Sequence, residues 1–193
     1  MCGRFTLHTS PDYLRRLLGF VERPNFPPRY NIAPMQPIPI VRVANGARHF
    51  ALARWGLVPS WVKDPRKFAL LINARAEGIA EKPSFRAAIR RRRCLVPADG
   101  FYEWRREGKS KRPYFIRARD GETMALAAIW ETWIDADGGE IDTAAIITCA
   151  ANAVLAPIHE RMPAVIPPAD FATWLDADEK EFEIGRASCR ERV

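Results

Sequence analysis

The feature that most restricts the fold is an Asn-Gly pair, Asn45-Gly46, set between two apolar runs. Ile38–Val43 precedes the turn Ala44-Asn45-Gly46, and His49–Trp55 follows it. Asn and Gly both adopt positive φ readily, which a two-residue hairpin turn requires at its central positions. The stretch therefore predicts an antiparallel β-hairpin.

Short apolar or β-branched runs recur through the rest of the chain and predict further strands. These runs are Cys94–Pro97, Gly100–Trp104, Tyr114–Arg117, Thr123–Glu131 and Thr143–Cys149. Helical signals are few and short. The clearest is Ser10–Gly19, with a capping Ser, a Pro at the first helical position and a closing Gly, and Pro83–Arg90 and Ala169–Leu175 are weaker. The predicted fold class is α+β, with a predominantly antiparallel β-sheet or barrel core and short peripheral helices.

The length of 193 residues fits one domain, which we expect to span residues 1–181. Residues 182–193 change abruptly in character and are expected to be a vector-derived tail, which leaves the domain truncated at its C-terminal end. No signal peptide and no run of 18 apolar residues is present, so a cytoplasmic protein is expected. A monomer is expected. The net charge of +7 permits an anionic partner.

The first residues, Met1-Cys2-Gly3-Arg4, carry a distinctive chemistry once Met1 is removed. A small second residue allows removal of the initiator Met, after which Cys2 presents a free α-amino group beside its thiol. Such an aminothiol captures an aldehyde twice, first as a Schiff base and then as a thiazolidine ring. The cation of Arg4 is expected to favour the thiolate. The alternative is that Cys2 is a small buried apolar residue with no chemical role.

Several polar residues stand where a strand or an aromatic cluster would position them. Asn73 and Arg75 alternate after the apolar run Leu70–Ile72, which places both on one face of an extended segment. Glu103 sits among aromatic residues, where partial burial would suit general acid–base work. The four cysteines and three histidines do not cluster at metal-ligand spacing, so neither a metal site nor a cofactor is expected.

Two further candidates lie in predicted loops. His159 precedes Glu160 and Arg161 in the polar loop His159–Pro163, a combination that suits proton transfer or phosphate contact. Trp55 and Trp61 stand at the two ends of one predicted loop. Two indoles so close together are usually core residues, but an exposed one would offer a stacking platform for a nucleobase.

Six separated blocks of the chain together resemble the SRAP (SOS-response-associated peptidase) domain. The resemblance covers residues 2 to about 176, and its blocks are Met1–Phe5, Arg29–Pro34, Trp55–Pro59, Ile72–Glu77, Pro97–Trp104 and Ile158–Pro163. It implies a protein that shields abasic sites in single-stranded DNA by crosslinking itself to them. Such a protein would associate with the nucleoid when bound to DNA. The ring-opened abasic sugar is an aldehyde, which is the electrophile an N-terminal aminothiol captures.

The resemblance also implies catalytic roles for four residues. Cys2 would form the thiazolidine, and Asn73 would orient the reacting sugar. Glu103 would shuttle protons during formation and reversal of the adduct, and His159 would assist opening of the sugar ring.

Four further residues would contact the DNA. The resemblance implies that Arg4, Arg75 and Arg161 hold the phosphates that flank the lesion, which suits the fork geometry of arginine. Trp61 would stack on a base beside the lesion. Binding of this kind is tolerant of sequence and sensitive to salt.

Two rival interpretations stay open at the level of sequence. One is a cysteine-nucleophile peptidase or amidohydrolase, in which the Cys2 thiolate attacks an amide and processing of Met1 is autoproteolytic. The other is a noncovalent single-strand-binding module in which Cys2 is incidental.

Overall fold

Two β-sheets and three short helices make up the computed structural model, which describes residues 2–177. The predicted vector-derived tail, residues 182–193, lies outside the described residues. The strands are β1 (Arg4–Leu7), β2 (Arg29–Ile32), β3 (Pro37–Ala44), β4 (Ala47–Trp55), β5 (Asn73–Arg75), β6 (Arg93–Ala98), β7 (Gly100–Glu107), β8 (Ser110–Ile116), β9 (Met124–Ile134), β10 (Glu140–Ala150), β11 (Arg161–Pro163) and β12 (Val165–Ile166). The helices are α1 (Pro11–Leu18), α2 (Arg86–Arg91) and α3 (Phe171–Leu175).

The larger sheet closes into a barrel. Its strand order is β11-β10-β4-β3-β6-β9-β12, and an additional pairing of β9 with β10 joins strands β3, β4, β6, β9 and β10 into a ring. Strand β6 is buried along its whole length, and β9 and β10 are buried over most of theirs, which fits their content of Ala, Ile, Leu and Val. The predicted α+β fold with an antiparallel sheet or barrel core is confirmed.

The predicted hairpin is present as β3 and β4, which pair in antiparallel register from Pro37↔Arg54 to Ala44↔Ala47. Asn45 and Gly46 form its turn with φ of 51° and 75°, the left-handed values that this turn requires. The strands extend beyond the predicted limits because the barrel pairs them along their whole length.

The smaller sheet has four strands in the order β2-β1-β7-β8. In β7, the side chains of Phe101 and Glu103 are buried, whereas Tyr102 and Trp104 on the opposite face are partly exposed. The chain crosses from the barrel into this sheet at Asp99. Its carboxylate accepts hydrogen bonds from the amides of His8 and Thr9 and from the hydroxyls of Thr9 and Thr123.

The helices agree with the sequence in part. Helix α1 has Ser10 as its N-cap and Gly19 in the left-handed conformation at its end, as predicted. Helix α2 begins at Arg86 rather than Pro83, because the preceding residues form turns and Phe85 provides no capping side chain. Helix α3 begins at Phe171, after a single 3-10 turn.

The prediction of a loop over His159–Pro163 is partly wrong. Arg161–Pro163 form the edge strand β11, which pairs with the end of β10 and buries Met162. Backbone pairing with an available sheet edge outweighs the polar character of this segment.

Among the described residues, no helix is long and apolar enough to cross a membrane.

Candidate active site

Cys2 lies two residues before the start of β1 and is fully buried. Burial, and secondarily the negative charge of Glu103, raise the pKa of its thiol to about 12. The expectation that Arg4 favours the thiolate concerns the chain without Met1 and stays a prediction. The Arg4 guanidinium donates to Asn31 Oδ1 at 2.8 Å.

Asn73 connects the start of the chain to the barrel. Its Nδ2 donates a 2.9 Å hydrogen bond to the carbonyl oxygen of Cys2. Its Oδ1 is buried and has no hydrogen-bond partner within residues 2–177. Strand β5 is anchored next to Asn73, where the carbonyl of Ile72 accepts from Trp55 Nε1 at 2.9 Å and from the amide of Ile146 at 3.0 Å. Asn73 therefore holds Cys2 and keeps one acceptor available.

Glu103 provides a buried carboxylate at this site. It is 2% exposed and follows Tyr102, which pairs with Arg4 across β1 and β7. Its charge contributes to the raised pKa of the Cys2 thiol, so the carboxylate and the sulfur share one poorly solvated region. A carboxylate in that position can accept or return a proton of a reacting amine or hydroxyl.

His159 is partly buried in the turn before β11. Its Nδ1 accepts a 2.9 Å hydrogen bond from the backbone amide of Arg161. In the neutral imidazole the ring proton therefore resides on Nε2. A proton carried by neutral His159 therefore belongs to Nε2 and not to Nδ1.

Arg161 is held by protein groups on several sides. Nη1 and Nη2 donate to the two carboxylate oxygens of Glu77 at 2.8 and 2.7 Å, and Nη2 also donates to the carbonyl of Thr148. The Arg161 guanidinium in turn holds the pKa of Glu77 below its ordinary value. Arg75, in contrast, is exposed on β5, and the register Thr148↔Arg75 places it beside the same part of β10.

The two tryptophans of the predicted loop have different environments. Trp55 is fully buried in the core, whereas Trp61 is 58% exposed and meets Phe68 edge-on with ring centroids 5.5 Å apart. An exposed indole braced by a second ring is suited to stacking on a base. Within the described residues 2–177, no hydrogen bond joins Trp61 to Cys2 or Asn73.

The structure thus brings Cys2, Asn73 and Glu103 together directly. Strands β5, β10 and β11 lie side by side and carry Arg75 and Arg161 on the same part of the barrel. Asn31, which accepts from Arg4, and Glu77, which accepts from Arg161, were not predicted to act in the site. Glu77 continues the alternation of Asn73 and Arg75 and so carried a signal, whereas Asn31 stood in the block Arg29–Pro34 but was given no role.

Within the described part of the chain, no group of three or more His, Cys, Asp or Glu residues could hold a metal ion.

The chain is similar to known proteins over most of its length. A family model described as SOS response associated peptidase (SRAP) matches residues 1–189. The chain is 37% identical over 180 residues to the Bacillus subtilis protein named Abasic site processing protein YoqW, covering 91% of this chain and 80% of that protein. It is 34% identical over 198 residues to Abasic site processing protein YedK of Escherichia coli, covering 98% and 87%.

Solved structures share the fold. A crystal structure of a protein from Bacteroides thetaiotaomicron superposes with a TM-score of 0.84 at 30% identity, covering 95% of this chain and 84% of that one.

Proposed function

Because the chain belongs to the SOS response associated peptidase (SRAP) family, we propose that it processes abasic sites in DNA. Its relatives in Bacillus subtilis and Escherichia coli are named abasic site processing proteins. We propose further that it acts on single-stranded DNA. The reaction is formation of a covalent thiazolidine crosslink through Cys2 after removal of Met1.

The single observation that carries the finer proposal is the hydrogen bond from Asn73 Nδ2 to the Cys2 carbonyl at 2.9 Å. The first residues of a domain are usually poorly ordered unless something ties them down. Here a side chain 71 residues away holds the backbone of Cys2 beside a buried carboxylate. Such positioning is of use to a residue that reacts, since a fixed nucleophile loses less entropy in the transition state.

The reaction balances with the groups that the site provides. The α-amine of Cys2 adds to C1 of the ring-opened abasic sugar, and loss of one water leaves a C=N bond. The Cys2 sulfur then adds to the same carbon, forming a C–S bond while its proton moves to the nitrogen. The product is a five-membered ring, and the protein–DNA adduct is lighter than its two components by one water.

Three side chains are proposed to support these steps. Glu103 accepts a proton from the attacking amine and returns it to the departing oxygen. Asn73 orients the sugar through the carboxamide oxygen that has no protein partner. His159 exchanges a proton through Nε2 as the sugar ring opens, because its Nδ1 is already used by the Arg161 amide.

The DNA is proposed to be held by cations and one indole. Arg75 is exposed and available for a phosphate, and Arg4 offers the guanidinium nitrogens that Asn31 leaves unused. Arg161 meets a phosphate only with Glu77 bound beside it, so its contact is the most constrained of the three. Trp61 stacks on a base next to the lesion.

Removal of Met1 is essential to this proposal. While Met1 is present, the Cys2 nitrogen is an amide, which cannot form a Schiff base. The thiol, with its pKa raised to about 12, is also almost entirely protonated near neutral pH. The raised pKa of the thiol does not favour a cysteine peptidase that acts through a preformed thiolate. The experiment must still distinguish crosslinking from such a peptidase activity.

Intact-mass spectrometry before and after mixing with a single strand carrying one abasic site tests the proposal. We expect a chain lighter by one Met that gains the mass of the oligonucleotide less one water. Cys2→Ala should abolish the product, whereas Cys94→Ala, which removes another buried free thiol, should retain it. Acetylation of the mature α-amine should also abolish it, although a thiol peptidase would survive that change. Absence of an adduct from folded protein lacking Met1 would contradict the proposal.

A further inference from the structure

The hairpin formed by β7 and β8 projects from the strand that carries Glu103 and is strongly basic at its end. Residues 105–112 contain five cationic side chains and one carboxylate, Glu107. The only ion pair recorded for this end within residues 2–177 joins Arg105 to Glu107. Four of the five cations are therefore left without an ion-pair partner among the described residues.

The strand register places these cations opposite one another. Arg105 pairs with Arg112, and Arg106 pairs with Lys111, in two successive cross-strand positions. Like charges directly opposite each other in an antiparallel pair are destabilising. Arg106 and Lys111 are both exposed, and neither has an ion-pair partner among residues 2–177. An external polyanion would relieve this repulsion.

The same face of the hairpin carries exposed aromatic surface. Side chains of paired residues point to the same side of a sheet, so Tyr102–Phe115, Trp104–Pro113 and Arg106–Lys111 form three rows on one face. Phe115 is 47% exposed, and its ring contacts Tyr102 with centroids 5.1 Å apart. An exposed ring next to unpaired cations is the combination that sequence-tolerant single-strand binders use.

This face is continuous with Arg4, which is proposed above to contact the DNA. Arg4 pairs with Tyr102, so Arg4, Tyr102 and Phe115 lie in one row across β1, β7 and β8. Arg106 is four residues beyond Tyr102 on the same face, a distance of about 13 Å along the strand. A strand held at Arg4 therefore has the aromatic and cationic rows within reach of its neighbouring nucleotides.

We infer that the outer face of the β7–β8 hairpin is a second DNA-binding surface, on which the single strand flanking the abasic site lies. Arg106 and Lys111 contact its phosphates, and Phe115 stacks on one of its bases. This inference rests on the proposed function for the identity of the strand. It adds an extended binding path that raises affinity without taking part in the chemistry.

Binding of an undamaged single strand of about 20 nucleotides, followed by fluorescence anisotropy over a salt series, tests the phosphate contacts separately from crosslinking. The variant is the double substitution Arg106→Gln with Lys111→Gln. The control is Arg86→Gln with Arg90→Gln, which removes the same charge from exposed positions of α2. Only the hairpin variant should lower the slope of log affinity against log salt, by about 1.4, since each single-strand phosphate contact contributes about 0.7.

Expressed as affinity, the loss between about 50 and 200 mM salt should be about sevenfold smaller for the hairpin variant than for the wild type. Equal slopes for the two double variants would overturn the inference, because net charge alone would then account for binding. Equally tight, equally hairpin-dependent binding of polyglutamate would also overturn it, since the surface would then select acidic polypeptide as readily as DNA.

Phe115→Leu tests stacking while keeping an apolar cover over Gly100, which the Phe115 ring contacts closely. It should weaken binding by about fivefold or more without changing the salt slope. Unchanged affinity would remove Phe115 from the proposed surface.

A crosslinking assay on a short abasic oligonucleotide keeps the two proposals distinguishable. If the inference holds, the hairpin variants crosslink it at the wild-type rate, because the chemistry is untouched. Loss of that rate in the hairpin variants would contradict the separation of binding from chemistry. Failure of every protein, wild type included, to crosslink would instead refute the proposed function and leave the anisotropy result standing.

Discussion

At the scale of single residues, the environment of Cys2 governs reactivity. The side chain is fully buried, and burial with the Glu103 charge opposes formation of the thiolate. Alkylation and oxidation both proceed through the thiolate, so we expect both to be slow at Cys2 near neutral pH while Met1 is present. Removal of Met1 would create the α-amine that the proposed reaction requires, so in this proposal processing and activation coincide.

Substitution Glu103→Gln should lower the pKa of the Cys2 thiol in protein that retains Met1. The Glu103 charge is the second largest cause that raises this pKa, after burial, so its removal favours the thiolate. The pH dependence of Cys2 alkylation by iodoacetamide, read by peptide mass mapping, measures the shift. Glu131→Gln, a change at another buried carboxylate, should leave the midpoint unchanged. A midpoint that stays constant or rises in Glu103→Gln would contradict the assignment.

Asn73→Asp should slow crosslinking by about tenfold, the effect of losing one hydrogen bond worth about 1.4 kcal/mol. The substitution keeps the shape of the side chain but removes the donor that holds the Cys2 carbonyl. Single-turnover rates on an abasic oligonucleotide measure the effect, with circular dichroism to verify the fold. Asn152→Asp is the matched control, because the Asn152 side chain accepts hydrogen bonds from two amides and an Asp can do the same. Equal rates for wild type and Asn73→Asp would exclude the positioning role.

At the scale of secondary-structure elements, turns and crossings decide how the strands meet. The β3–β4 hairpin depends on two left-handed residues, and the crossing from β6 to β7 depends on the hydrogen bonds of one carboxylate. Both features concern backbone geometry, so their energetic consequences can be separated from those of core packing.

Gly46→Ala should lower the free energy of unfolding by about 1 kcal/mol, which is the cost of placing an L side chain in the left-handed region. An added Cβ at Gly46 would meet nothing within 4 Å, so the effect is one of backbone conformation alone. Urea denaturation measures it. Asn45→Gly, at the neighbouring left-handed position, should be tolerated much better. Equal stability of Gly46→Ala and wild type would show that the turn relaxes to another geometry.

Asp99→Asn should destabilise the fold by about 2 kcal/mol near neutral pH. The N–H and O–H donors that now bind the Asp99 carboxylate would then face the NH2 group of the asparagine, which cannot accept a hydrogen bond. Burial alone would raise the pKa of Asp99, but hydrogen bonds from Thr123, Thr9 and the amides of His8 and Thr9 hold it below its ordinary value. The stability that ionised Asp99 provides is present above the unfolded-state pKa of about 3.9 and is lost as pH falls through the lower folded-state pKa.

Urea denaturation at about pH 7 and about pH 3 tests this sign, with the gap between wild type and Asp99→Asn expected to shrink at the lower pH. The exposed Asp12→Asn is the control and should show only a small gap at either pH. A gap of the same size at both values would contradict the role of the charge.

At the scale of the whole molecule, the barrel supports the site rather than containing it. Strand β10 pairs with β9, β4, β5 and β11, so it connects the closed ring to the strands that carry Asn73, Arg75 and Arg161. The sheet that leads from Cys2 has edges at β2 and β8 within the described residues. The strands that carry these residues are thus joined directly to the closed ring.

Amide hydrogen exchange should follow this division. We expect the slowest exchange in the central parts of β9 and β10, which are buried and paired on both sides, and faster exchange in β2 and β8 at the sheet edges. Peptide-level mass spectrometry measures it. Faster exchange in β9 or β10 than in β8 would mean that the barrel is not the most stable unit.

Local sequence determined those features of this protein that depend on a few neighbouring residues. The Asn45-Gly46 turn, the capped helix after Ser10 and the alternation of Asn73 with Arg75 each rest on backbone or strand geometry within one element, and the structure contains all three. The aminothiol chemistry of Cys2 is likewise a property of its position in the chain. The fold class followed from the sum of these short-range signals.

Only the tertiary structure decided how distant residues act on one another. It buried Cys2 and gave Asn73 a hydrogen bond to a residue 71 positions away. It paired Arg161 with Glu77 across 84 positions and turned a predicted loop into β11. Desolvation, long-range hydrogen bonds and pairing at a sheet edge depend on what the folded chain places nearby. No local sequence pattern encodes these neighbours. The neighbours nevertheless control the reactivity of the site residues that the sequence predicted.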